Sequence, residues 1–169
     1  MKKYIAGICA ISILALSSCS KENTEVPETP IEETISGEGV TVSSWNTVGQ
    51  WDQNEEEQDG NVSTQFSAAE VSDAVLQDGL VLVYARSGDN VQLLPFTDKQ
   101  NTQWYYQATE GGIFLMGLNG EESKTESDRP AFSYVVLSQE KILQLESLGK
   151  RKVDLMNMSY GALVALLKK

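Results

Sequence analysis

Leu80-Val-Leu-Val-Tyr-Ala85 is an unbroken apolar run. A segment this short and this apolar fits a central β-strand covered on both faces. Ser87-Gly88-Asp89-Asn90 is turn chemistry, and Val91-Gln-Leu-Leu-Pro-Phe96 returns as the hairpin partner. Pro95 removes a ladder donor, which places the end of that strand at an edge or bulge. Gln103–Ala108 and Ile113–Leu118 flank Thr109-Glu110-Gly111-Gly112, whose glycines allow the positive φ of a tight hairpin. Gly39–Trp45, Asn61–Phe66 and Ala131–Leu137 complete a set of about seven strands. The expected fold is mainly β, an antiparallel β-sandwich with short peripheral helices. One helix is expected over 67–78, where Ser67-Ala-Ala-Glu70 reads as a capping box and Gly79 as a stop. The other is expected over 159–168, where Tyr160, Leu163, Val164 and Leu167 recur at helical spacing. Residues 139–149 fit a loop or a helical turn equally well.

The N-terminus is of a different kind. Lys2 and Lys3 precede an apolar stretch from about Tyr4 to Leu16, the layout of a signal peptide too short to span a bilayer permanently. It ends in Leu16-Ser17-Ser18-Cys19, which resembles the bacterial lipobox. The resemblance implies that residues 1–18 are removed and that Cys19 is acylated. Each buried methylene contributes roughly 0.8 kcal/mol of membrane affinity, so the several chains of a bacterial lipoprotein would hold it essentially permanently. Cys9 lies inside the apolar stretch and would leave with it, so the mature chain would keep one cysteine and no internal disulfide. Ser20 stands where an aspartate often favours retention in the inner membrane. The expected location is therefore the outer membrane, at its periplasmic face or at the cell surface.

Residues 19–38 come next, the lipidated cysteine and a tether holding Pro27, Pro30 and six glutamates. Such a composition cannot offset the entropy of ordering and predicts disorder. As a coil it spans roughly 25 Å, and fully extended about 65 Å. Residues 39–169 are the right length for one domain. The chain carries a net charge of −11. Most of that lies between Ser20 and Val62, with 11 acidic residues against Lys21 alone. Nucleic acid is an unfavourable partner, because its binding needs clustered Lys and Arg. Lys150-Arg151-Lys152 is too short to alter this and reads as a solvated turn.

The segment Val71–Phe96, together with Phe132-Ser-Tyr-Val-Val-Leu137 and the closing Val153-Asp-Leu … Tyr160 helix, resembles small uncharacterised lipoproteins common in Bacteroidetes. The likeness covers most of residues 40–169. It departs at Ser138-Gln139, where a Pro-Gly turn is more usual. Its motifs are structural, so it implies a lipid-anchored β-rich domain and assigns no catalytic or binding residue.

The sequence contains no histidine, which removes the commonest general base near neutral pH and the commonest zinc ligand. It has no phosphate-binding glycine loop or dinucleotide fingerprint, and no cofactor is implied. Asp52, Asn54, Glu56 and Asp59 offer oxygens, but Glu57 stands where a calcium loop needs glycine, so no metal site is expected. The function these features favour is a non-enzymatic structural or interaction domain, bound to membrane lipid through Cys19, with an envelope protein as partner. The alternative is a carbohydrate-binding accessory lipoprotein. Trp104 and Tyr106 share one face of their strand, and Trp45 and Trp51 could join them in a platform for a glycan; such aromatics also serve as core. A hydrolase built on paired carboxylates ranks below both.

Overall fold

Two strands decide the architecture. In β5 (Leu80–Ser87) and β10 (Ala131–Leu137) most side chains are buried, whichever way they point. Val83, Ala85, Phe132, Tyr134 and Val136 enter one core, and Leu80, Leu82, Tyr84, Val135 and Leu137 enter a second. Alternation along a strand sends successive side chains to opposite faces, so this sheet is a middle layer.

The computed structural model describes residues 34–48, 51–53, 61–118 and 129–168, all within a unit spanning Glu32–Lys169. Leu16, Ser17, Ser18, Cys19, Asn54, Glu56 and Asp59 lie outside the described residues. The first sheet, A, runs β1 (Ile35–Gly37), β2 (Val40–Val42), β10, β5, β6 (Asn90–Leu93). The second, B, runs β3 (Asp52–Gln53), β4 (Val62–Ser67), β9 (Gly112–Leu118), β8 (Gln103–Thr109), β7 (Phe96–Thr97). All pairings are antiparallel. The expected mainly-β sandwich is what forms. Its seven expected strands are present, and the three further ones, β1, β3 and β7, hold two or three residues each at sheet edges. Pro95 falls where the chain leaves β6 on the edge of sheet A and enters β7 on the edge of sheet B.

Between the sheets lies an aromatic core. Trp104 meets Phe132 and Trp51 at 5.4 Å each, Trp51 meets Phe132 at 6.0 Å, and Phe66 closes the row at 6.5 Å. Gly117 stands directly across from Trp104, and a Cβ there would come within 2.8 Å of the indole. The missing side chain is what lets the indole lie against β9.

The outer side of sheet A is covered by α2 (Gln139–Ser147), α3 (Lys152–Leu155) and α4 (Tyr160–Leu167). Ile142, Leu145, Leu155, Leu163 and Leu167 are the buried residues of these helices, and all pack in the second core. Burial of each contributes roughly 1.5–3 kcal/mol. The helices thus form a third layer rather than a decoration. The undecided segment 139–149 is mostly helix, with Ser138 Oγ accepting from the Lys141 N–H at 3.3 Å.

The helix expected over 67–78 is shorter, α1 (Asp73–Asp78), capped by Ser72 rather than Ser67. Hydrogen bonding explains the shift. Ser67 is paired with Gly112, the Ala68 N–H donates to the Gly111 carbonyl, and the Gly111 N–H donates to the Val71 carbonyl. The backbone is committed to the β8–β9 turn until Ser72, so helix cannot begin earlier.

Candidate interaction surface

The four aromatics singled out in the sequence divide between the two cores. Trp104 is 1% exposed; its indole N–H donates to Asp98 Oδ2 at 3.0 Å. Asp98 Oδ1 accepts from the backbone N–H groups of Gln100 and Thr102, both at 2.9 Å. Asp98 therefore ties the β7–β8 turn to the core, a role sequence reasoning missed although Asp98 opens a turn six residues before the tryptophan. Trp51 is 8% exposed, with the Arg129 guanidinium 5.3 Å from its ring centroid and its own indole N–H without a partner. Tyr106 is half-buried, and its hydroxyl donates to the Val81 carbonyl at 2.8 Å, across to sheet A. Burial holds that hydroxyl protonated above its ordinary range.

Trp45 belongs to the helix side. Its ring lies 4.8 Å from Tyr160, and the Arg86 guanidinium stands 4.6 Å above it. Tyr84 completes the group, 5.3 Å from Tyr160, with its hydroxyl donating to the Met158 carbonyl at 2.9 Å. The alternative of a glycan platform built from Trp45, Trp51, Trp104 and Tyr106 has no shared surface here, and Trp104 and Trp51 take the core role the sequence also allowed. Trp104 and Trp51 are sealed because apolar area on an inner face is worth most between the sheets.

Among the described residues, the less covered side of sheet B is the outer one. Ile113, Leu115 and Gly117 of β9 face inward, so Phe114, Met116 and Leu118 face outward by alternation. These three are half-buried and belong to neither core. Tyr105 lies directly across from Met116, Gln107 from Phe114, and Gln103 from Leu118. On the other flank Ser63 faces Met116 and Gln65 faces Phe114. The Tyr105 hydroxyl donates to Gln103 Oε1 at 2.7 Å. A shallow hollow of about 190 Å³ at one end is lined by Asp52, Asn61, Ser63, Phe114, Met116 and Leu118. The surface is an apolar stripe on the central strand of its sheet, bordered by amides and hydroxyls.

Three of the described carboxylates serve the fold. Asp98 holds its turn, Asp154 pairs with Arg151 at 2.9 Å, and Glu70 meets the buried Tyr134 hydroxyl. Burial first and the Glu70 hydrogen bond second push the Tyr134 hydroxyl well above its ordinary value. Among the described residues no group of three or more Asp, Glu, Cys or His is placed to hold a metal ion. Among them, too, no helix is long and apolar enough to cross a membrane.

Compared with protein-family models, curated proteins and solved structures, the chain matches none.

Proposed function

We propose that this protein is a lipid-anchored outer-membrane interaction domain, acting without catalysis, that binds an envelope protein through the open face of sheet B. One observation carries the reading. Ile113-Phe-Leu-Met-Gly-Leu118 is nearly as apolar as Leu80–Ala85 and calls for cover on both faces, yet no helix of the described residues packs over Phe114, Met116 and Leu118. Apolar stripes left partly exposed and rimmed by polar side chains mark interaction sites, and Tyr, Phe and Met are enriched in protein interfaces. A glycan partner has less support, because Trp104 and Trp51 are in the core. Absence of histidine and the structural engagement of Asp98, Asp154 and Glu70 support a non-catalytic role.

The anchor rests on Leu16-Ser17-Ser18-Cys19. Cys19→Ser should move the protein from membrane to soluble fractions, and unchanged partition would refute the anchor. For the surface, a photo-crosslinking residue at Met116 should give a discrete adduct in cells, while one at exposed Glu110 should not. Phe114→Glu in the same protein should abolish the adduct with the far-ultraviolet circular dichroism unchanged. An adduct of twice the chain's mass would identify a second copy as the partner, and the absence of any adduct would sink the reading.

A further inference from the structure

We infer that the corner formed by residues 143–156 rests on an anionic lipid surface, the membrane that carries the anchor. The inference depends on the anchored reading above for the membrane's nearness, and on separate observations for the contact. Among the described residues five large hydrophobics are exposed, and four of them, Leu143, Leu148, Val153 and Met156, fall in this stretch. Leu148 is 69% exposed and Val153 52% exposed. Between them stand Lys150, Arg151 and Lys152, so the stretch holds three basic residues against two acidic in a chain of net charge −11.

Local geometry presents these side chains outward. Gly149, at φ +81°, ends α2, and the Gly149 and Lys150 N–H groups bond back to Glu146 and Leu145. Arg151 closes on Asp154 with two side-chain hydrogen bonds of 3.0 and 2.9 Å, which fixes the start of α3. Val153 and Met156, three apart, then share a face. Lys152 Nζ donates to the Asp78 carbonyl at 3.4 Å, pinning the corner to α1. Inward, Ile142, Leu145 and Leu155 are already spent on the core, so the exposed four are surplus to it.

The first described strands lie beside the same helix. Ile35, Gly37 and Val40 line a groove of about 800 Å³ with Lys141, Gln144 and Leu167, so the described chain begins next to α2. The residues numbered 20–33 reach at most about 50 Å. A short tether raises the effective concentration of the surface to the millimolar range, so weak contacts suffice. Aliphatic side chains interleaved with lysines are what an interfacial membrane contact uses. The acidic remainder of the chain is repelled by anionic headgroups, which leaves the basic corner as the side that approaches.

The test uses the lipidated protein on vesicles of phosphatidylethanolamine with phosphatidylglycerol, and on phosphatidylcholine alone. Leu148→Cys carries an environment-sensitive fluorophore, and Gln107→Cys, on the open face of sheet B, is the control. The label at position 148 should shift to the blue on anionic vesicles only, and the label at 107 on neither. Lys150→Gln should lower the docked-to-undocked ratio roughly fivefold, the effect of one basic residue near an anionic surface. Flotation on the same samples reports the anchor independently. Protein that floats with its 148 label still in water overturns the docking and leaves the anchor standing. An equal shift on neutral vesicles overturns the anionic-surface assignment. Protein that floats on neither vesicle overturns both.

Discussion

Sheets A and B have the same number of strands, but they differ in what covers them. Sheet A is wedged between two cores, whereas among the described residues sheet B is packed on one side only. Interior strands of the two look alike in sequence, since β5 and β9 are both runs of apolar residues. The difference lies further along the chain. After β10 come Ile142, Leu145, Leu155, Leu163 and Leu167 on three helices, and these cover sheet A. No comparable helical segment serves sheet B among the described residues. An apolar strand therefore states a need for cover without stating who provides it, and for β9 the proposed provider is a partner protein.

The sharpest way to break this comparison is a matched pair of phenylalanines. Phe132→Ala removes a fully buried ring that meets Trp51, Trp104 and Phe66, and should cost about 3–5 kcal/mol in urea unfolding. Phe114→Ala on the open face should cost less than about 1 kcal/mol. Equal losses would mean that the outer side of sheet B is a core in its own right.

Gly117→Ala comes next. The added methyl meets the Trp104 ring at 2.8 Å and Val62 at 3.0 Å, so overpacking should cost about 1–3 kcal/mol by thermal or urea unfolding. A neutral result would show that the inner face of β9 has slack. Smaller again is the contrast between the two inner tryptophans. Trp104→Phe loses the hydrogen bond to Asp98 along with packing, whereas Trp51→Phe loses an indole N–H that has no partner. Trp104→Phe should therefore be the more destabilising by about 1 kcal/mol, the usual worth of one hydrogen bond.

Much of the fold is legible in the sequence, and the exceptions have physical causes. Short apolar or alternating runs and the turns at Ser87–Asn90 and Gly111-Gly112 place the seven main strands, because these are local signals. The extra edge strands are two or three residues long, too short for any alternation to show. Ser67 carries a genuine helix-start pattern, overridden by its pairing with Gly112 across the sheet. Trp104 and Tyr106 share one face, as alternation requires, but a strand's alternation does not say which face is the inner one. That depends on Asp98, Gly117 and Phe132, which are distant or unremarkable in sequence. The outward side of the same hairpin holds the surface instead.

The helix-side core has its own pH signature. The Tyr84 hydroxyl is pushed up to about 12, chiefly by burial and then by the nearby Tyr106 and Tyr160 hydroxyls. A free tyrosine ionises near pH 10. The unfolded chain thus gives up this proton from about pH 10 while the native protein holds it until about pH 12. The associated stabilisation is intact below pH 10 and is lost as pH rises towards 12. Tyr84→Phe should flatten that part of the alkaline stability curve, at the cost of the hydrogen bond to the Met158 carbonyl. A curve of unchanged slope would place the titration elsewhere.

Methionine oxidation, compared in intact cells and in the purified protein, tests the open face of sheet B most directly. Met116 reports that face, and Met158, half-buried on the helix side, serves as the internal reference. Met116 should oxidise readily in the purified protein and slowly in cells, while the rate at Met158 stays the same in both. If Met116 oxidises as fast in cells as in isolation, nothing covers the stripe and sheet B is not the binding face.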